Sequence, residues 1–592
     1  MTRIAILDKE RCINKNGCNF VCGNMCPVNR AGKECIVLEE GKIIPTINES
    51  LCIGFNICVA KCPAKCIKIE NMVQELNEPA THRFGKNSFR IYRLPFVRKG
   101  EIVGLIGKNG IGKSTILKIL AGQLLPNLGD YESKASFEKI LKYFKGKEFF
   151  NYFSALETGG IKVAFKPQAI TDIPKAFKGK VIDLLSKVDE RNKLSEISKL
   201  LSIEKILDRN ISELSGGELQ RVAIAATGLR DVDFYAFDEP SSFLDIKERF
   251  SMASLLRSLV SENKSVIVIE HDLAVLDYLS EYIHILYGKH SVYGIVSNPK
   301  SVKNGINEFL SGFVKDENTR FRSKEIKFSV NPSADYKKKN VIFKYPALKK
   351  TLGSFSLDVE AGDLREAEVL GIMGANAIGK TTFVKMLAGV EKPDSNKVDF
   401  NFKVSYKPQY ISPEKGVTVS DFLSSQELDK SVFKNEVDRR LDISSLEDHL
   451  LSELSGGELQ KVAVGTCLSR ANSDLILLDE PTAFVDVEDR INLADTVRSV
   501  IDSRKKIAMV VDHDIIFQDY VSDRMIVFTG EPSLKGYAGK AVSMHEGMNV
   551  FLKEMKITFR RDHESGRPRA NKLNSQLDKS QKKSGEYYYV VD

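Results

Sequence analysis

This 592-residue chain has no tryptophan, few cysteines, no long apolar run and no recognisable signal sequence. Tryptophan is missing, which decides nothing, but cysteine is also rare: nine of the ten lie within the first 66 residues, and Cys467 stands alone. Apolar runs such as 265–269 and 475–478 fall far short of the about 20 residues that span a bilayer. The N-terminus, MTRIAILDKERC, has no apolar core and no cleavage site. We therefore expect a cytoplasmic protein with no secretory signal and no membrane partner.

The size and charge of the chain set broad limits on its class. A chain of 592 residues is too long for one hydrophobic core and predicts several domains. Lysine and arginine total 87 against 79 acidic residues, a formal charge of +8. This mild excess permits an anionic partner without requiring one.

Repeated motifs indicate an internal duplication. LSGGELQ occurs at 214–220 and 454–460, KPQ at 166–168 and 407–409, and DEP at 238–240 and 479–481. The glycine-rich loops begin at Gly107 and Gly374, so the interval from loop to KPQ is 59 residues in the first copy and 33 in the second. The sequence therefore predicts two related α/β domains, the first with an insertion at about 130–160.

The insertion has the pattern of a helix-loop-helix. Phe137, Ile140, Leu141 and Phe144 share one helical face. Lysines beside aromatic residues suit contact with RNA, while a packed surface excursion without a partner is an equally good interpretation. These lysines are Lys134, Lys139, Lys142, Lys145 and Lys147.

Each copy opens with a strand, a glycine loop and a helix in the pattern G-x-x-x-x-G-K-[ST]. Backbone amides at such a helix N-terminus cradle phosphates. We expect Lys113 and Lys380 to reach the β- and γ-phosphates of ATP, and Ser114 and Thr381 to bind Mg²⁺. The predicted ATP-binding residues of the loops are Gly107, Asn109, Gly110, Gly112, Lys113, Ser114 and Thr115, then Gly374, Asn376, Gly379, Lys380, Thr381 and Thr382.

Each copy also has an apolar strand that ends in paired acids. Asp238 and Asp479 are placed to support the Mg²⁺. Glu239 and Glu480 follow by one residue, where a carboxylate can polarise the attacking water. The sequence thus predicts these two glutamates as catalytic.

Two further pairs of polar residues recur at matched positions. His271 and His513 end later strands, and we interpret them as catalytic contacts to the γ-phosphate. Gln168 and Gln409 of the KPQ motifs are interpreted as sensors of the metal and the water.

The order glycine loop, KPQ, LSGGE, DEP and His resembles the ATP-binding cassette superfamily. The resemblance implies an ATPase in which two cassettes pack head to tail, with each ATP held by the glycine loop of one and the LSGGE of the other. Asp245 and Asp486 match the loop that couples the two sites. The first site then gains Ser455, Gly456, Gly457 and Glu458, and the second gains Ser215, Gly216, Gly217 and Glu218.

The N-terminal cysteines form two runs that each end in Cys-Pro, which favours iron–sulfur ligation over zinc or free thiols. A ferredoxin run is C-x2-C-x2-C-x3-C-P, but the second run has Phe55 at one Cys position. Crossed ligation predicts one complete 4Fe–4S cluster. Its ligands are Cys12, Cys18, Cys22 and Cys62, whereas the second cluster has only Cys26, Cys52 and Cys58.

The fourth ligand of the second cluster is open. Cys66, Cys35 or a non-protein ligand can fill the gap, and a three-iron cluster or no cluster are the other possibilities. Phenylalanine cannot bind iron, so two intact clusters do not follow from the sequence.

A ferredoxin-like α+β domain before two tandem P-loop cassettes, with a helix-loop-helix in the first, resembles the ABCE family of ribosome-recycling ATPases, also called the RNase L inhibitor family. The matching segments include 81–95, 305–314 and 557–562. The implied domains are an iron–sulfur domain (1–76), a first cassette (77–290), a first hinge (291–330), a second cassette (331–545) and a C-terminal basic hinge (546–592).

The family resemblance implies a mechanism and partners. The iron–sulfur domain swings when ATP closes the cassettes, which splits a terminated ribosome into subunits with a peptide-release factor bound. The protein then stays on the small subunit, against ribosomal RNA, with translation initiation factors. Cassette pairing within one chain implies a monomer.

The chain departs from the family pattern at several positions. Phe84 replaces the usual tyrosine that stacks on adenine, and its ring suits the same role; Phe343 or Tyr345 is the counterpart. Ala377 replaces a glycine, and its methyl group crowds the loop if φ is positive. Asp512 replaces the usual glutamate before a histidine. The second site is therefore expected to hydrolyse ATP differently.

The basic C-terminal segment has two interpretations of equal weight: a grip on ribosomal RNA phosphates or a clamp of internal salt bridges. Its basic residues are Lys553, Lys556, Arg560, Arg561, Arg567, Arg569 and Lys572.

Rival functions are a transporter ATPase subunit with a fused ferredoxin, a redox-coupled ATPase and an elongation or antibiotic-protection ATPase. The last class lacks an N-terminal cysteine domain.

Overall fold

The computed structural model describes residues 3–13, 17–39, 41–72, 78–328, 339–395, 403–413 and 415–588. The predicted domain boundaries at 76–77 and 330–331 fall outside these ranges and stay predictions.

The N-terminal domain is a small α+β unit. Strand Arg3–Leu7 pairs antiparallel with Ile67–Asn71, and Ile36–Val37 pairs antiparallel with Thr46–Ile47. Buried cysteines and aliphatic side chains share one core. Its short helices are Val21–Asn24, Pro27–Arg30 and Ile57–Lys61.

The first cassette is built on a nine-stranded sheet whose centre is parallel. The central strands are apolar and fully buried, as strands covered on both faces must be. Their carboxyl ends therefore meet at one edge. The parallel strands, in spatial order, are Val163–Lys166, Phe234–Asp238, Ser265–Ile269, Ile102–Ile106 and Tyr282–Lys289.

The rest of the first sheet and its helices complete the cassette. The other strands are His82–Arg83, Arg90–Tyr92, Tyr293–Val296 and Lys300–Ser301. The α-helices are Lys113–Leu120, Phe137–Phe144, Phe150–Glu157, Ile173–Ala176, Val181–Val188, Leu194–Leu200, Gly216–Gly228, Ile246–Leu259 and Leu273–Leu279.

The second cassette repeats the same strand order, which confirms the predicted duplication. Its parallel strands are Val404–Lys407, Leu475–Asp479, Ile507–Val511, Glu368–Met373 and Arg524–Glu531. The other strands are Val341–Tyr345, Leu348–Leu352, Phe355–Val359, Gly362–Arg365, Lys535–Ala538 and Val542–Ser543. The α-helices are Lys380–Leu387, Val419–Ser425, Lys430–Val432, Arg439–Leu441, Gly456–Ser469, Val487–Arg504 and Ile515–Val521.

The insertion in the first cassette forms the predicted helix-loop-helix, Phe137–Phe144 followed by Phe150–Glu157. Ile140, Phe144 and Phe153 are buried in the core of that cassette. The five lysines named above are exposed. The apolar face is therefore packed, as one interpretation expects, while the lysine face stays available for the other.

The two hinge segments contact the cassettes. Helix Val302–Ser311 and strands Phe313–Val314 and Thr319–Arg320 form the first, and helices Met544–Met555 and Gln576–Ser584 with strands Phe559–Arg561 and Pro568–Ala570 form the second. Arg569 makes hydrogen bonds of 2.6 and 2.8 Å to Asp277 of the first cassette. Arg561 donates to Asp519 of the second at 2.7 Å. The clamp interpretation thus accounts for these arginines, while Lys553, Lys556 and Lys572 are exposed.

Candidate functional site

The two phosphate loops are held in the same way. Gly112 begins helix Lys113–Leu120 with φ of 100°, and a Cβ there would lie 2.8 Å from the Ile91 side chain. Lys113 Nζ donates to the carbonyl of Gly107 at 2.8 Å, and Lys380 Nζ donates to that of Gly374 at 2.9 Å. Burial lowers the pKa of both lysines. Each loop is therefore wrapped around its own lysine, with backbone amides at the helix N-terminus.

Beside each loop lies a donor set that fits Mg²⁺. The Ser114 side chain lies beside Asp238, and burial raises the pKa of that carboxyl to about 6. Thr381 lies beside Asp479 in the same way. Asp238 Oδ1 and both carboxylate oxygens of Asp479 are buried with no hydrogen-bond partner of good geometry among the described residues. Buried unpaired carboxylate oxygens beside a hydroxyl are the ligands that Mg²⁺ prefers.

In the first site, Glu239 is held as a carboxylate. Burial alone would raise its pKa, but the neighbouring His271, Lys113 and Gln168 lower it to about 2. His271 Nε2 lies 3.3 Å from Glu239 Oε1. Burial lowers the pKa of His271, and neither ring nitrogen has a partner of hydrogen-bond geometry among the described residues. The imidazole therefore lies against Glu239 with neither nitrogen held in a well-formed hydrogen bond by the described part of the chain.

The second site differs in its electrostatics. Burial raises the pKa of Glu480, although Gln409 Nε2 donates to it at 2.8 Å. His513 Nε2 is farther away, at 3.6 Å from Glu480 Oε1. Glu239 and Glu480 share positive φ values of 45° and 48°, a strained conformation of the kind that clusters at functional sites.

The acid that precedes each histidine holds the loop after the predicted catalytic glutamate. Glu270 accepts from the Ser241 amide at 2.9 Å and its hydroxyl at 2.6 Å. Asp512 accepts from the Thr482 hydroxyl at 2.8 Å. The shorter Asp512 side chain therefore reaches its partner, so the departure at this position preserves the contact.

The cassettes face each other head to tail. One cavity of about 630 Å³ is lined by residues of both. The first cassette supplies Ser215, Gly216, Gly217 and Glu218, and the second supplies Gly374, Asn376, Gln409, Glu480 and His513. The structure thus brings the LSGGE residues of the first cassette to the same cavity as these five residues of the second.

Reciprocal hydrogen bonds join the two cassettes. The backbone N–H of Asn109 donates to the Asp486 carboxylate at 3.0 Å, and the backbone N–H of Asn376 donates to the Asp245 carboxylate at 2.9 Å. The rings of Phe243 and its counterpart Phe484 pack edge to face with centroids 5.4 Å apart. On the first-site side, Glu458 interacts electrostatically with His290, whose ring lies beside Gly110.

The N-terminal thiols fall into two groups. Cys12, Cys18, Cys22, Cys62 and Cys66 line one small cavity, and the Cys62 and Cys66 sulfurs are 3.4 Å apart. Burial raises the pKa of Cys22 to about 12.

The second group contains Cys26, Cys35, Cys52 and Cys58, all buried. Burial raises the pKa of Cys35 to about 12, and hydrogen bonds with Cys26 and Cys52 add to that rise. Burial also raises the pKa of Cys58 to about 11, with Cys52 and Cys26 as neighbouring charges.

The donor sets of the two thiol groups suit an iron–sulfur cluster and not a single metal ion. Within the described ranges, no three His, Cys, Asp or Glu side chains converge closely enough to hold one metal ion. Two separate groups of at least four thiols suit iron–sulfur clusters, whose four irons each take one thiolate. The thiols therefore fit the cluster chemistry better than a single-ion site.

The thiol domain also contacts both cassettes. Lys65 pairs with Asp448, and Arg11 Nη1 lies 3.0 Å from His449 Nε2. On the other side, the Asn87 amide group donates to the carbonyls of Ala5 and Ile47 at 3.1 and 2.9 Å.

Comparison with known proteins assigns the family. The ABC transporter family model matches residues 96–242 and 357–483. The chain is 51% identical to an uncharacterised ABC transporter ATP-binding protein of Methanocaldococcus jannaschii, covering 99% of this chain and 98% of that one. An archaeal ribosome recycling factor, aABCE1, crystallised with the ribosomal stalk protein aP1, is 52% identical over 87% of this chain and 100% of its own, with a TM-score of 0.83. The chain belongs to the ABCE family. ABCE1 in a model of ribosome-bound archaeal Pelota and ABCE1 is 50% identical, covers 100% of this chain and 99% of its own, and has a TM-score of 0.92.

The family assignment confirms the fold class and the ATPase activity expected from the sequence. The chain carries two tandem ABC domains behind a small cysteine-rich α+β domain of ABCE architecture. In the part of the chain that the structure describes, no helix is long and apolar enough to cross a membrane.

Some ABCE positions are now located. Phe84 is 54% exposed, so its ring is open to an adenine. Tyr345 is buried in the second-cassette core against Phe383. Phe343 is therefore the remaining predicted counterpart of Phe84 in the second cassette. Ala377 has φ of 55°, so the methyl group sits in the conformation that favours glycine.

Sequence reasoning missed a pair of structural lysines in the ABCE cassettes. Lys166 Nζ donates to the carbonyl of Asp238 at 3.0 Å, and Lys407 Nζ donates to that of Asp479 at 2.8 Å. Both are buried, and burial lowers the pKa of each to about 8. Both lysines are the first residue of a KPQ motif, next to Pro and the predicted sensor glutamine, and this repetition could have identified them from the sequence.

Proposed function

We propose that this ABCE protein is an ATP-driven ribosome-recycling factor that splits ribosomes into subunits after termination. The observation that carries the proposal is the shared second site, where the LSGGE of one cassette and the glycine loop of the other line one cavity. An ATP molecule there contacts both cassettes, so its binding favours closure and its hydrolysis releases it.

The site residues have roles in hydrolysis that follow from their positions. Water attacks the γ-phosphorus while the bond to the β-phosphate oxygen breaks, yielding ADP and phosphate. Glu239 and Glu480 accept the proton of that water, and His271 and His513 contact the γ-phosphate. Lys113 and Lys380 bind the β- and γ-phosphates. Bound Mg²⁺, held by Ser114 with Asp238 and by Thr381 with Asp479, neutralises phosphate charge.

Closure is coupled to the N-terminal domain through its contacts. Lys65 and Arg11 touch the second cassette at Asp448 and His449, whereas Asn87 joins the domain to the first. A domain attached to both cassettes moves when they approach each other. That movement supplies the force that separates the ribosomal subunits.

The partners follow from the family and from exposed charge. One ABCE1 relative is bound to a ribosome with Pelota, and another is in complex with a ribosomal stalk protein. The exposed lysines Lys134, Lys142 and Lys145 on the insertion suit the phosphates of ribosomal RNA on the small subunit. We infer a cytoplasmic monomer that acts with a peptide-release factor and afterwards meets translation initiation factors.

The N-terminal domain is proposed to carry iron–sulfur clusters. Cys12, Cys18, Cys22 and Cys62 hold one 4Fe–4S cluster, and Cys26, Cys52 and Cys58 contribute to a second. Bound clusters cross-link the short segments of a domain whose core is small.

The test is subunit splitting measured by sucrose-gradient sedimentation. Anaerobically prepared protein is mixed with terminated ribosomes of its own source and a release factor, with and without ATP. We expect ATP-dependent conversion of whole ribosomes to subunits.

A matched pair of variants sharpens the test. Glu239→Gln/Glu480→Gln is expected to bind ATP and lose multiple turnover, while Glu262→Gln, an exposed loop variant, keeps wild-type splitting. Whole ribosomes that persist with an active, iron-loaded ATPase contradict the proposal and favour the transporter-subunit or redox-coupled alternatives.

A further inference from the structure

The second thiol group lacks the cysteine that a ferredoxin run supplies at position 55. Phe55 stands there, with a side chain that cannot bind iron and is 62% exposed. Cys26, Cys52 and Cys58 are buried nearby. A 4Fe–4S cluster at this place needs a fourth ligand from elsewhere in the chain.

Backbone hydrogen bonds bring Cys35 to this group. Cys35 directly precedes strand Ile36–Val37, and its carbonyl accepts from the Asn48 amide at 2.7 Å. The Asn48 carbonyl in turn accepts from the Cys52 amide at 3.1 Å, and Cys35 Sγ lies 3.8 Å from that carbonyl oxygen. One peptide group thus contacts both cysteines.

The Cys35 side chain is fixed among thiols. It is only 1% exposed, shares one core with Cys26 and Cys52, and interacts with both of their thiols. Asn29 Oδ1 accepts from the Cys35 amide at 3.0 Å and from the Ile36 amide at 2.9 Å, which holds the backbone in place. The sulfur therefore occupies a definite position in the second group.

Cys66, the other spare cysteine, is committed to the first group. Its sulfur lies 3.4 Å from that of Cys62, and it lines the cavity that Cys12, Cys18 and Cys22 also line. The two spare thiols are thus divided between the groups.

We propose that Cys35 is the fourth ligand of the second cluster, joining Cys26, Cys52 and Cys58 in place of the cysteine missing at position 55, a role that rests on the proposed iron–sulfur cofactor but not on ribosome splitting. The Cys35 thiol gives up its proton to solvent when its sulfur binds iron, and no electron is transferred.

The test is the iron and sulfide content of the full chain after anaerobic reconstitution, with Mössbauer spectra to count cluster types. Wild type is expected to hold about eight irons, as two 4Fe–4S clusters require. Cys35→Ala is expected to fall to about four, or to about seven with a three-iron signature. Cys66→Ala is the matched control for removing a buried thiol and should keep about eight.

A second variant separates ligand loss from misfolding. In Cys35→Ala/Phe55→Cys, the thiol returns at the ferredoxin position, and iron content should recover to the wild-type value. Failure to recover would assign the loss in Cys35→Ala to the fold and overturn the ligand role.

Other outcomes are also decisive. Wild-type iron in Cys35→Ala overturns the proposal for Cys35 while leaving the cofactor in place. About four irons in wild type show that the second cluster does not form, and no iron at all overturns the cofactor assignment as well. Each of these results is independent of the splitting assay.

Discussion

The backbone amide of Asn109 lies 3.0 Å from the carboxylate of Asp486, so the phosphate loop of the first cassette is bonded to a helix cap of the second. Asp486 also accepts from the Asp489 amide within its own helix. Asn376 and Asp245 repeat the arrangement in the other direction. A change in the conformation of either phosphate loop would therefore alter its hydrogen bond to one carboxylate of the opposite cassette.

Asp486→Ala is expected to weaken ATP-dependent closure. The change removes a hydrogen bond between the cassettes worth about 0.5–1.5 kcal/mol, or about 2–13-fold in the closure equilibrium; the helix cap that is lost with it lies within one cassette and affects the stability of that cassette instead. The measurement is energy transfer between dyes on the two cassettes during an ATP titration. Ser543→Ala, which removes the cap of helix Met544–Met555, is the control, and an equal effect of both variants would assign the change to cassette stability alone.

Ala377→Gly is expected to stabilise the second cassette. Ala377 has φ of 55°, and releasing an alanine from this region gains about 1 kcal/mol, or about 2–4 °C in the melting temperature of a domain of this size. The reverse change, Gly110→Ala, should destabilise the first cassette because a Cβ there would meet the His290 ring at 2.3 Å. Scanning calorimetry measures both, and a lower melting temperature for Ala377→Gly would contradict the strain argument.

Glu270 is expected to make stability fall with rising pH. Burial raises its pKa from 4.5 to about 7, so the folded chain keeps a proton that the unfolded chain releases. Stability from this group is full below about 4.5 and is lost as pH rises through about 7, by at most about 3 kcal/mol. Melting temperatures of Glu270→Gln and wild type should therefore diverge between these values, in favour of the variant.

The exposed Glu262→Gln should instead track wild type across the same pH range. Parallel curves for Glu270→Gln and wild type would show that Glu270 does not titrate in this window.

The sequence predicted the parts of the site that are local patterns, and missed what depends on distant contacts. The glycine loops and acid pairs are short strings with one chemical use, and the repeated order placed them correctly at the edge of each sheet. The role of the basic C-terminal segment stayed open because Arg569 binds Asp277, which lies 292 residues away in the sequence. No local sequence pattern reveals such a contact. Tyr345 looked available for stacking because its burial depends on Phe383 and the sheet behind it.

Asp277→Asn is expected to release the C-terminal segment from the first cassette. Arg567, fully buried, lies 3.3 Å from Asp277, and an unpaired buried cation costs about 3–5 kcal/mol. Hydrogen exchange of residues 559–570 should accelerate, while the exposed Lys572→Ala leaves it unchanged. Slow exchange in Asp277→Asn would mean that other contacts hold the segment.

The edge-to-face pair of Phe243 and Phe484 lies where the two halves of a duplicated chain meet. The two residues are equivalent positions of the two copies and their rings are in contact, so the pair sits near a pseudo-twofold axis. A residue at such a place packs against its own counterpart. After a duplication, a change in one copy alters the surroundings of the other, so the two positions cannot drift independently. The lysine-bearing insertion, by contrast, packs on the core of its own cassette and is present in one copy only.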